Sequence, residues 1–153
     1  MAIRFEPVTK ENRNLVLQLR VAPGQEGFVE SVAQCLAEAD RQSCWRPVAI
    51  YDDQILVGFA MYGFFWPYLP FGRVWLDRLL IDGRYQGRGY GREALAGLLE
   101  RLEKTYHRKK IYLSVIEANQ AAIKLYEKFG FRFTGELDVN GEKVMMRKST
   151  AKS

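Results

Sequence analysis

The sequence has few of the residues on which metal centres and disulfide frameworks depend. It contains two cysteines, Cys35 and Cys44, and one histidine, His107. Two irregularly placed cysteines do not make a disulfide scaffold, and a single histidine excludes a zinc site with several histidine ligands. We therefore expect reduced thiols and no metal.

Long apolar runs are missing as well. No stretch is long enough to cross a bilayer, and residues 1–6 lack the basic start and apolar core of a signal peptide. The expectation is a cytoplasmic protein without membrane association. With 153 residues, 48% hydrophobic and 27% charged, the chain suits one domain, predicted at residues 1–149 with a frayed tail at 150–153.

Positive charge is in excess, with a formal net charge of +5. Such a charge is compatible with nucleic-acid binding, but no basic helix repeat or aromatic RNA-binding signature accompanies it. Much of the excess lies in residues 84–110, beside a glycine-rich stretch. A phosphate-rich cofactor suits this clustering about as well as a polynucleotide does. Nucleic-acid binding is therefore our third hypothesis, and the expectation is no nucleic-acid partner.

Hydrophobic periodicity and turn residues predict an α/β fold. The expected order is strand, two helices, three strands, helix, strand, helix and two strands. Strands are predicted at residues 3–7, 45–51, 55–65, 73–82, 110–115, 131–137 and 143–147. Helices are predicted after a cap at Thr9 or Asn12, from Phe28 to about Arg41, from the glycine loop to Tyr106, and from Asn119 to Phe129. The order implies one mixed β-sheet with helices on both faces.

Residues 79–92 predict the end of an apolar strand, a glycine-rich loop and the start of a helix. Gly87, Gly89 and Gly91 lack a Cβ, so the backbone can approach a ligand closely. The amides and dipole of a helix start favour an anion there. The spacing excludes a Walker loop and the dinucleotide G-x-G-x-x-G. From this stretch alone, a turn whose glycines only serve packing is an equal alternative.

The segment Gln86-Gly87-Arg88-Gly89-Tyr90-Gly91 resembles the Q/R-x-x-G-x-G/A signature of the GNAT family of N-acetyltransferases. Residues 119–131 resemble the second motif of that family, at the expected distance. The resemblance covers residues 3 to about 148 and is closest to the bacterial spermine/spermidine acetyltransferases. It implies a GNAT-like mixed sheet, acetyl-CoA as co-substrate, a small-molecule amine acceptor and a homodimer.

The resemblance also implies which residues hold the cofactor. Backbone groups of Leu79 and Ile81 would pair with the pantetheine arm like an added strand, and amides of residues 87–92 would take the pyrophosphate. The expected cofactor-binding residues are Leu79, Leu80, Ile81, Gln86, Gly87, Arg88, Gly89, Tyr90, Gly91, Arg92, Asn119 and Tyr126.

Tyr126 is the expected general acid. It lies seven residues after Asn119, about two helical turns, so both project to the same side. The matching tyrosine of the family stands near the thioester sulfur. From the pattern alone, Tyr126 belongs to an apolar stripe with Ala122, Leu125 and Phe129, which indicates a core residue. The motif favours the catalytic interpretation.

Asp77 is the expected base or amine anchor. Strand alternation places it on one face with Trp75, Leu79 and Ile81, where an unpaired carboxylate is costly to bury. Pairing with a neighbouring cation such as Arg78 is the alternative. The resemblance favours function, because polyamine acetyltransferases of this family use a carboxylate at the equivalent strand position.

A polyamine must be attracted to a basic protein, so acidic groups are expected near its pocket. Glu26, Glu30 and Asp77 can supply them, although a solvated surface position is the simpler interpretation of the two glutamates. Tryptophans can stack on cationic amines. The predicted substrate-binding residues are Asp77, Glu30 and Trp75. For the aromatic residues 64–71 there are three alternatives. They pack on the rest of the domain, line the acceptor pocket, or form a contact between subunits.

The sequence therefore predicts an acetyl-CoA-dependent N-acetyltransferase acting on a primary amine of a polyamine by direct attack. One alternative is the same chemistry on another amine, such as a drug, a peptide N-terminus or a lysine. The other is a non-catalytic CoA-binding module that keeps the fold.

Overall fold

A computed structural model describes residues 1–23, 31–65 and 72–149 of the chain. Across these ranges seven strands form one sheet in the order β1-β2-β3-β4-β5-β7-β6. The strands are β1 (Ile3–Pro7), β2 (Trp45–Asp52), β3 (Ile55–Phe65), β4 (Arg73–Ile81), β5 (Lys110–Val115), β6 (Arg132–Leu137) and β7 (Lys143–Lys148). The α-helices are α1 (Arg13–Val16), α2 (Val32–Arg41), α3 (Tyr90–Tyr106) and α4 (Gln120–Lys128). The predicted element order and fold class are confirmed.

Helices cover both faces of the sheet. On one face, α3 and α4 bury residues such as Leu98 and Ile123 against the strands. On the other face, Val16 of α1 and Leu36 of α2 pack in a second core. The sheet is mixed because β4 and β5 are parallel and the other neighbours are antiparallel. Within the described ranges, no helix has the length and apolarity needed to span a membrane.

The first two helices differ from the prediction. α1 is a single short turn, and its Leu15 is 55% exposed. The Asn12 side chain accepts from the Thr9 amide and donates to the Pro7 carbonyl, so it does not cap α1. α2 begins after a capping box formed by Ser31 and Gln34, whereas its predicted start at residue 28 lies outside the described residues.

A β-bulge in β4 decides which of its residues share a face. β3 pairs Met61 with Arg78 but Tyr62 with Leu76, so Asp77 is the extra residue. Trp75 belongs to the core under α1 and α2, whereas Leu79 and Ile81 pack on the face of α3 and α4. The expectation that Asp77 shares a face with all three was wrong. One extra residue reverses the facing of every residue that follows it.

β4 and β5 lie side by side over a short distance. Their register pairs Val74 with Ile111 and Trp75 with Tyr112. Beyond these pairs, no described strand pairs with the β5-facing edge of β4, although its other edge continues along β3 to Ile81. The open edge presents backbone donors and acceptors to which an extended ligand can add like a strand.

Candidate active site

A cleft of about 250 Å³ lies at the carboxyl end of β4. It is lined by Leu79, Ile81, Tyr85, Gln86, Gly87, Gly89, Tyr90, Gly91, Ala121, Ala122, Leu125 and Tyr126. The structure thus brings together the strand end, the glycine loop and Tyr126. Sequence reasoning did not select Tyr85, Ala121, Ala122 or Leu125 for this site. We refer to this cleft as the cofactor cleft.

The glycine loop presents backbone to the cofactor cleft. Gly87 and Gly89 have φ values of 77° and 88°, in the left-handed region that favours glycine. A Cβ at Gly87 would meet no atom within 4 Å, so the space beside it is open to a ligand. Gly89 is the N-cap of α3 and supplies no capping side chain. Unsatisfied amides and the helix dipole favour a phosphate at this position.

Four expected cofactor residues lie outside the lining of the cleft. Leu80 packs into the opposite core, so only its main chain can face the open edge of β4. Asn119 caps α4, and its Oδ1 accepts from the Ala122 amide at 3.4 Å. Arg88 and Arg92 are exposed at the glycine loop and the first turn of α3. Their contacts with a cofactor stay predictions.

Tyr126 both packs against the core and lines the cofactor cleft. It is partly buried, packs against the core, and its ring centroid lies 5.8 Å from that of Phe131. It also lines the cofactor cleft with Leu79. Burial raises the pKa of Tyr126 to about 12, and the positive charge of Arg78 acts in the opposite direction. The hydroxyl therefore holds its proton at neutral pH.

A second cleft, of about 290 Å³, opens on the α2 side of the sheet. It is lined by Glu38, Gln42, Trp45, Phe65, Trp75, Asp77, Ser114, Asp138, Val139 and Asn140. Asp77 and Trp75, both predicted to bind the acceptor, lie here. Three of its lining residues are acidic, Glu38, Asp77 and Asp138, and none of the lining residues in the described ranges is Lys or Arg. We refer to it as the acidic cleft.

The walls of the acidic cleft are held by aromatic and turn contacts. The rings of Trp45 and Phe65 meet edge to face, with centroids 4.6 Å apart. Trp45 Nε1 donates to Gln42 Oε1 at 2.9 Å. Asp138 Oδ1 accepts from the amides of Asn140 and Glu142 at 2.8 and 2.9 Å, which fixes this carboxylate in the β6–β7 turn.

Sequence reasoning missed Glu38 and Asp138. Glu38 fits a solvated helix face and Asp138 fits a turn, so neither carries a pattern that indicates a site. The fold makes them neighbours by placing the β6–β7 turn and the end of α2 at the same cleft. Glu26, Glu30 and Trp66, which were considered for this role, lie outside the described residues.

The bulge in β4 lies between lining residues of the two clefts. Asp77 lines the acidic cleft, and Leu79, two residues later, lines the cofactor cleft. The β4–β5 pairing ends just before the bulge, at Trp75 and Tyr112. A donor lying along the open edge of β4 and an acceptor held at Asp77 would meet where the two strands part.

Asp82 ties the start of the glycine loop to the segment that follows α1. It is 3% exposed, and its carboxylate accepts from Arg84 Nε at 2.8 Å, the Arg84 amide at 2.9 Å and the Arg20 amide at 3.1 Å. The Gly83 amide donates to the Arg20 carbonyl at 2.7 Å. Desolvation raises the pKa of Asp82, but the hydrogen bonds from Arg84 and Arg20 lower it overall.

Replacing Asp82 with alanine should destabilise the fold by about 1–3 kcal/mol, because the amides and guanidinium it satisfies lose their acceptor. Urea unfolding near neutral pH measures this loss. Asp40→Ala is the control, since Asp40 forms an exposed ion pair with Arg13 and its loss should cost under about 1 kcal/mol.

The stabilisation by Asp82 also depends on pH. Because the folded pKa of Asp82 is depressed, this stabilisation is present above the unfolded pKa of about 3.9 and is lost as the pH falls through the folded pKa. Equal stability of the two variants would contradict this role.

The acetyltransferase (GNAT) family model matches residues 11–131. The chain is 48% identical over 150 residues to the spermine/spermidine N(1)-acetyltransferase of Bacillus subtilis (strain 168), covering 96% of this chain and 99% of that protein. The chain therefore belongs to the GNAT family of acetyltransferases.

Solved structures share the fold at low sequence identity. The spermidine N-acetyltransferase of Vibrio cholerae, in complex with CoA and spermine, has a TM-score of 0.73 at 19% identity and covers 97% of this chain and 96% of its own. An aminoglycoside acetyltransferase in complex with coenzyme A has a TM-score of 0.80 at 19% identity, covering 95% and 94%. These two neighbours have different named acceptors, so the shared fold alone does not identify the acceptor.

Proposed function

We propose that this chain is an acetyl-CoA-dependent N-acetyltransferase whose acceptor is a primary amine of a polyamine such as spermidine or spermine. The observation that carries the proposal is the acidic cleft, where Glu38, Asp77 and Asp138 converge in a chain of net charge +5. Such a site concentrates a polycation locally although the protein as a whole repels it. The name of the relative in Bacillus subtilis supports the same acceptor class.

The cofactor cleft suits acetyl-CoA. The open edge of β4 at residues 79–81 would pair with the amide groups of the pantetheine arm, and the loop amides of residues 87–92 would receive the pyrophosphate. The bound cofactor supplies a thioester whose acetyl group is open to attack by an amine. Leu79 and Tyr126 line the same cleft, which would place the thioester near the tyrosine hydroxyl.

Asp77 and Tyr126 supply the proton transfers that direct attack requires. Asp77 would hold the acceptor ammonium and take its proton, directly or through water, so that a neutral nitrogen attacks the carbonyl carbon. A C–N bond forms and the C–S bond breaks. Tyr126 would give its proton to the departing sulfur. Trp75 would form a wall against the methylene chain and stack on a cationic amine.

Three further expectations accompany this proposal. They are a cytoplasmic location, assembly as a homodimer, and the absence of a nucleic-acid partner, and all three stay predictions.

Release of free thiol from acetyl-CoA tests the acceptor class. Spermidine, spermine, a short diamine, an aminoglycoside and a lysine peptide are offered separately. We expect kcat/KM for spermidine or spermine to exceed that for the lysine peptide by about tenfold or more, because each ammonium that pairs with a carboxylate of the acidic cleft adds roughly 1.5 kcal/mol. A higher kcat/KM for the aminoglycoside would contradict the polyamine proposal and favour a drug acetyltransferase. CoA binding without turnover on any amine would favour the CoA-binding module.

A charge-matched pair of variants shows whether the acidic cleft carries this preference. Glu38→Gln removes a charge that lines the cleft, and Glu100→Gln removes one that pairs with Lys104 on the surface of α3. We expect KM for spermine to rise several-fold, up to about tenfold, in the first variant and to stay unchanged in the second. An equal change in both would indicate a general effect of net charge.

A further inference from the structure

Three arginines surround the cofactor cleft, and their surroundings differ. Arg84 is committed to Asp82, to which its Nε donates at 2.8 Å. Arg88 lies between two glycines of left-handed conformation, and Arg92 lies exposed in the first turn of α3. The exposed Arg84 is therefore paired with a buried carboxylate, whereas Arg88 and Arg92 form no ion pair with a carboxylate in the described ranges and are available to a ligand.

Arg88 is positioned by an aromatic ring. Its guanidinium carbon lies 5.7 Å from the centre of the Tyr85 ring, within the range of a cation–π interaction. Tyr85 in turn meets Tyr90 edge to face, with centroids 6.3 Å apart. Within the described ranges, no carboxylate forms an ion pair with Arg88. The Arg84 guanidinium carbon lies 5.4 Å from the centre of the same ring, but Arg84 is paired with Asp82, so the unneutralised charge beside Tyr85 is that of Arg88.

That place is the outer rim of the cofactor cleft. Gly87 and Gly89 line the cleft, but Arg88 between them does not, so its side chain extends outward from the loop. Tyr85, which supports it, does line the cleft. If the amides of the glycine loop bind the pyrophosphate of a ligand, the next charged group of that ligand would lie near this rim.

In acetyl-CoA the next charged group is the ribose 3′-phosphate. An arginine fork matches a phosphate with two parallel, charge-assisted hydrogen bonds. We propose that Arg88, braced by Tyr85, binds the ribose 3′-phosphate and thereby selects acetyl-CoA over donors that lack this group. The inference rests on the proposed function only in taking acetyl-CoA as the donor.

Calorimetry with CoA and with 3′-dephospho-CoA tests this subsite in the absence of any acceptor. The wild-type protein should bind CoA about tenfold more tightly than dephospho-CoA, as expected for a hydrogen bond to a charged group. In Arg88→Gln the ratio of the two affinities should fall to about one, with the affinity for dephospho-CoA unchanged. Lys104→Gln, which removes a positive charge that pairs with Glu100 on the surface of α3, is the control and should keep the wild-type ratio.

A second pair of variants tests the supporting ring. Tyr85→Phe keeps the aromatic face and should keep the preference for CoA, whereas Tyr85→Leu should reduce it. A ratio that survives Arg88→Gln, or one that collapses in Lys104→Gln as well, would overturn the assignment. An equal loss for both ligands in Arg88→Gln would place the guanidinium at the pyrophosphate and overturn it too. Absence of any CoA binding by the wild type would refute the proposed donor itself, which separates the two failures.

Discussion

Replacing Tyr126 with phenylalanine should lower kcat by about 10²-fold or more, the usual contribution of a positioned general acid. The variant removes one oxygen from a side chain that lines the cofactor cleft and leaves its packing against Phe131 in place. The affinity for CoA should therefore stay close to that of the wild type. Steady-state thiol release at saturating spermidine measures kcat, and calorimetry measures the affinity for CoA.

The pH profile gives an independent check on Tyr126. Because burial raises its pKa to about 12, the hydroxyl is protonated across the assay range. The wild-type kcat/KM should rise as the acceptor amine loses its proton, with no fall caused by Tyr126 below about pH 10. Tyr106→Phe is the matched control, since Tyr106 stacks on Phe64 away from both clefts and should keep the wild-type rate. A wild-type kcat in Tyr126→Phe would show that the thiolate leaves without this acid.

The cofactor cleft was predictable because its residues are nearly contiguous. The end of β4, the glycine loop and the first residues of α3 follow one another, and each contributes through a local rule such as glycine conformation or a helix start. Tyr126, which lines the cleft from α4, was predicted from the second family motif, residues 119–131. Tyr85 was missed because nothing in its local pattern separates it from an ordinary turn residue.

The acidic cleft was only partly predictable because it is assembled from distant parts of the chain. Asp77 and Trp75 come from one strand, but Glu38 comes from α2 and Asp138 from the β6–β7 turn. No periodicity in a single sequence records that these two elements meet. The cost of burying its charge made Asp77 notable and the family resemblance favoured a functional role, but strand alternation assigned it the wrong neighbours.

The neighbours of Asp77 were wrong because alternation fails at a bulge. Two consecutive charged residues, Asp77 and Arg78, interrupt an otherwise apolar strand, which is a signal that the pattern contains but that strict alternation ignores. Asp77 stays at the acidic cleft with Trp75, and the bulge turns Leu79 toward the cofactor cleft. The bulge therefore explains why the sequence prediction failed here. It also places Asp77, the proposed base, near the open edge of β4 along which the thioester would lie.

Asp77→Asn should lower kcat/KM for spermidine by about 10²- to 10³-fold at neutral pH. The substitution keeps the size of the side chain and its place in the acidic cleft but removes the charge that would hold the ammonium and accept its proton. Affinity for CoA should be unchanged, because the cofactor cleft does not include this residue. Thiol release as a function of spermidine concentration, measured at several pH values, gives kcat and KM separately.

The division of the defect between kcat and KM separates the two roles proposed for Asp77. If Asp77 acts as a base, kcat falls, and the defect shrinks as the pH approaches the pKa of the amine, near that of lysine at about 10.4, because a neutral amine needs no base. If Asp77 only anchors the ammonium, KM rises while kcat stays unchanged, and this defect also shrinks with pH because the amine loses the charge that an anchor recognises. Glu38→Gln provides the reference for a purely electrostatic contribution from the same cleft. We expect the pattern of a base, and a defect confined to KM would limit Asp77 to binding.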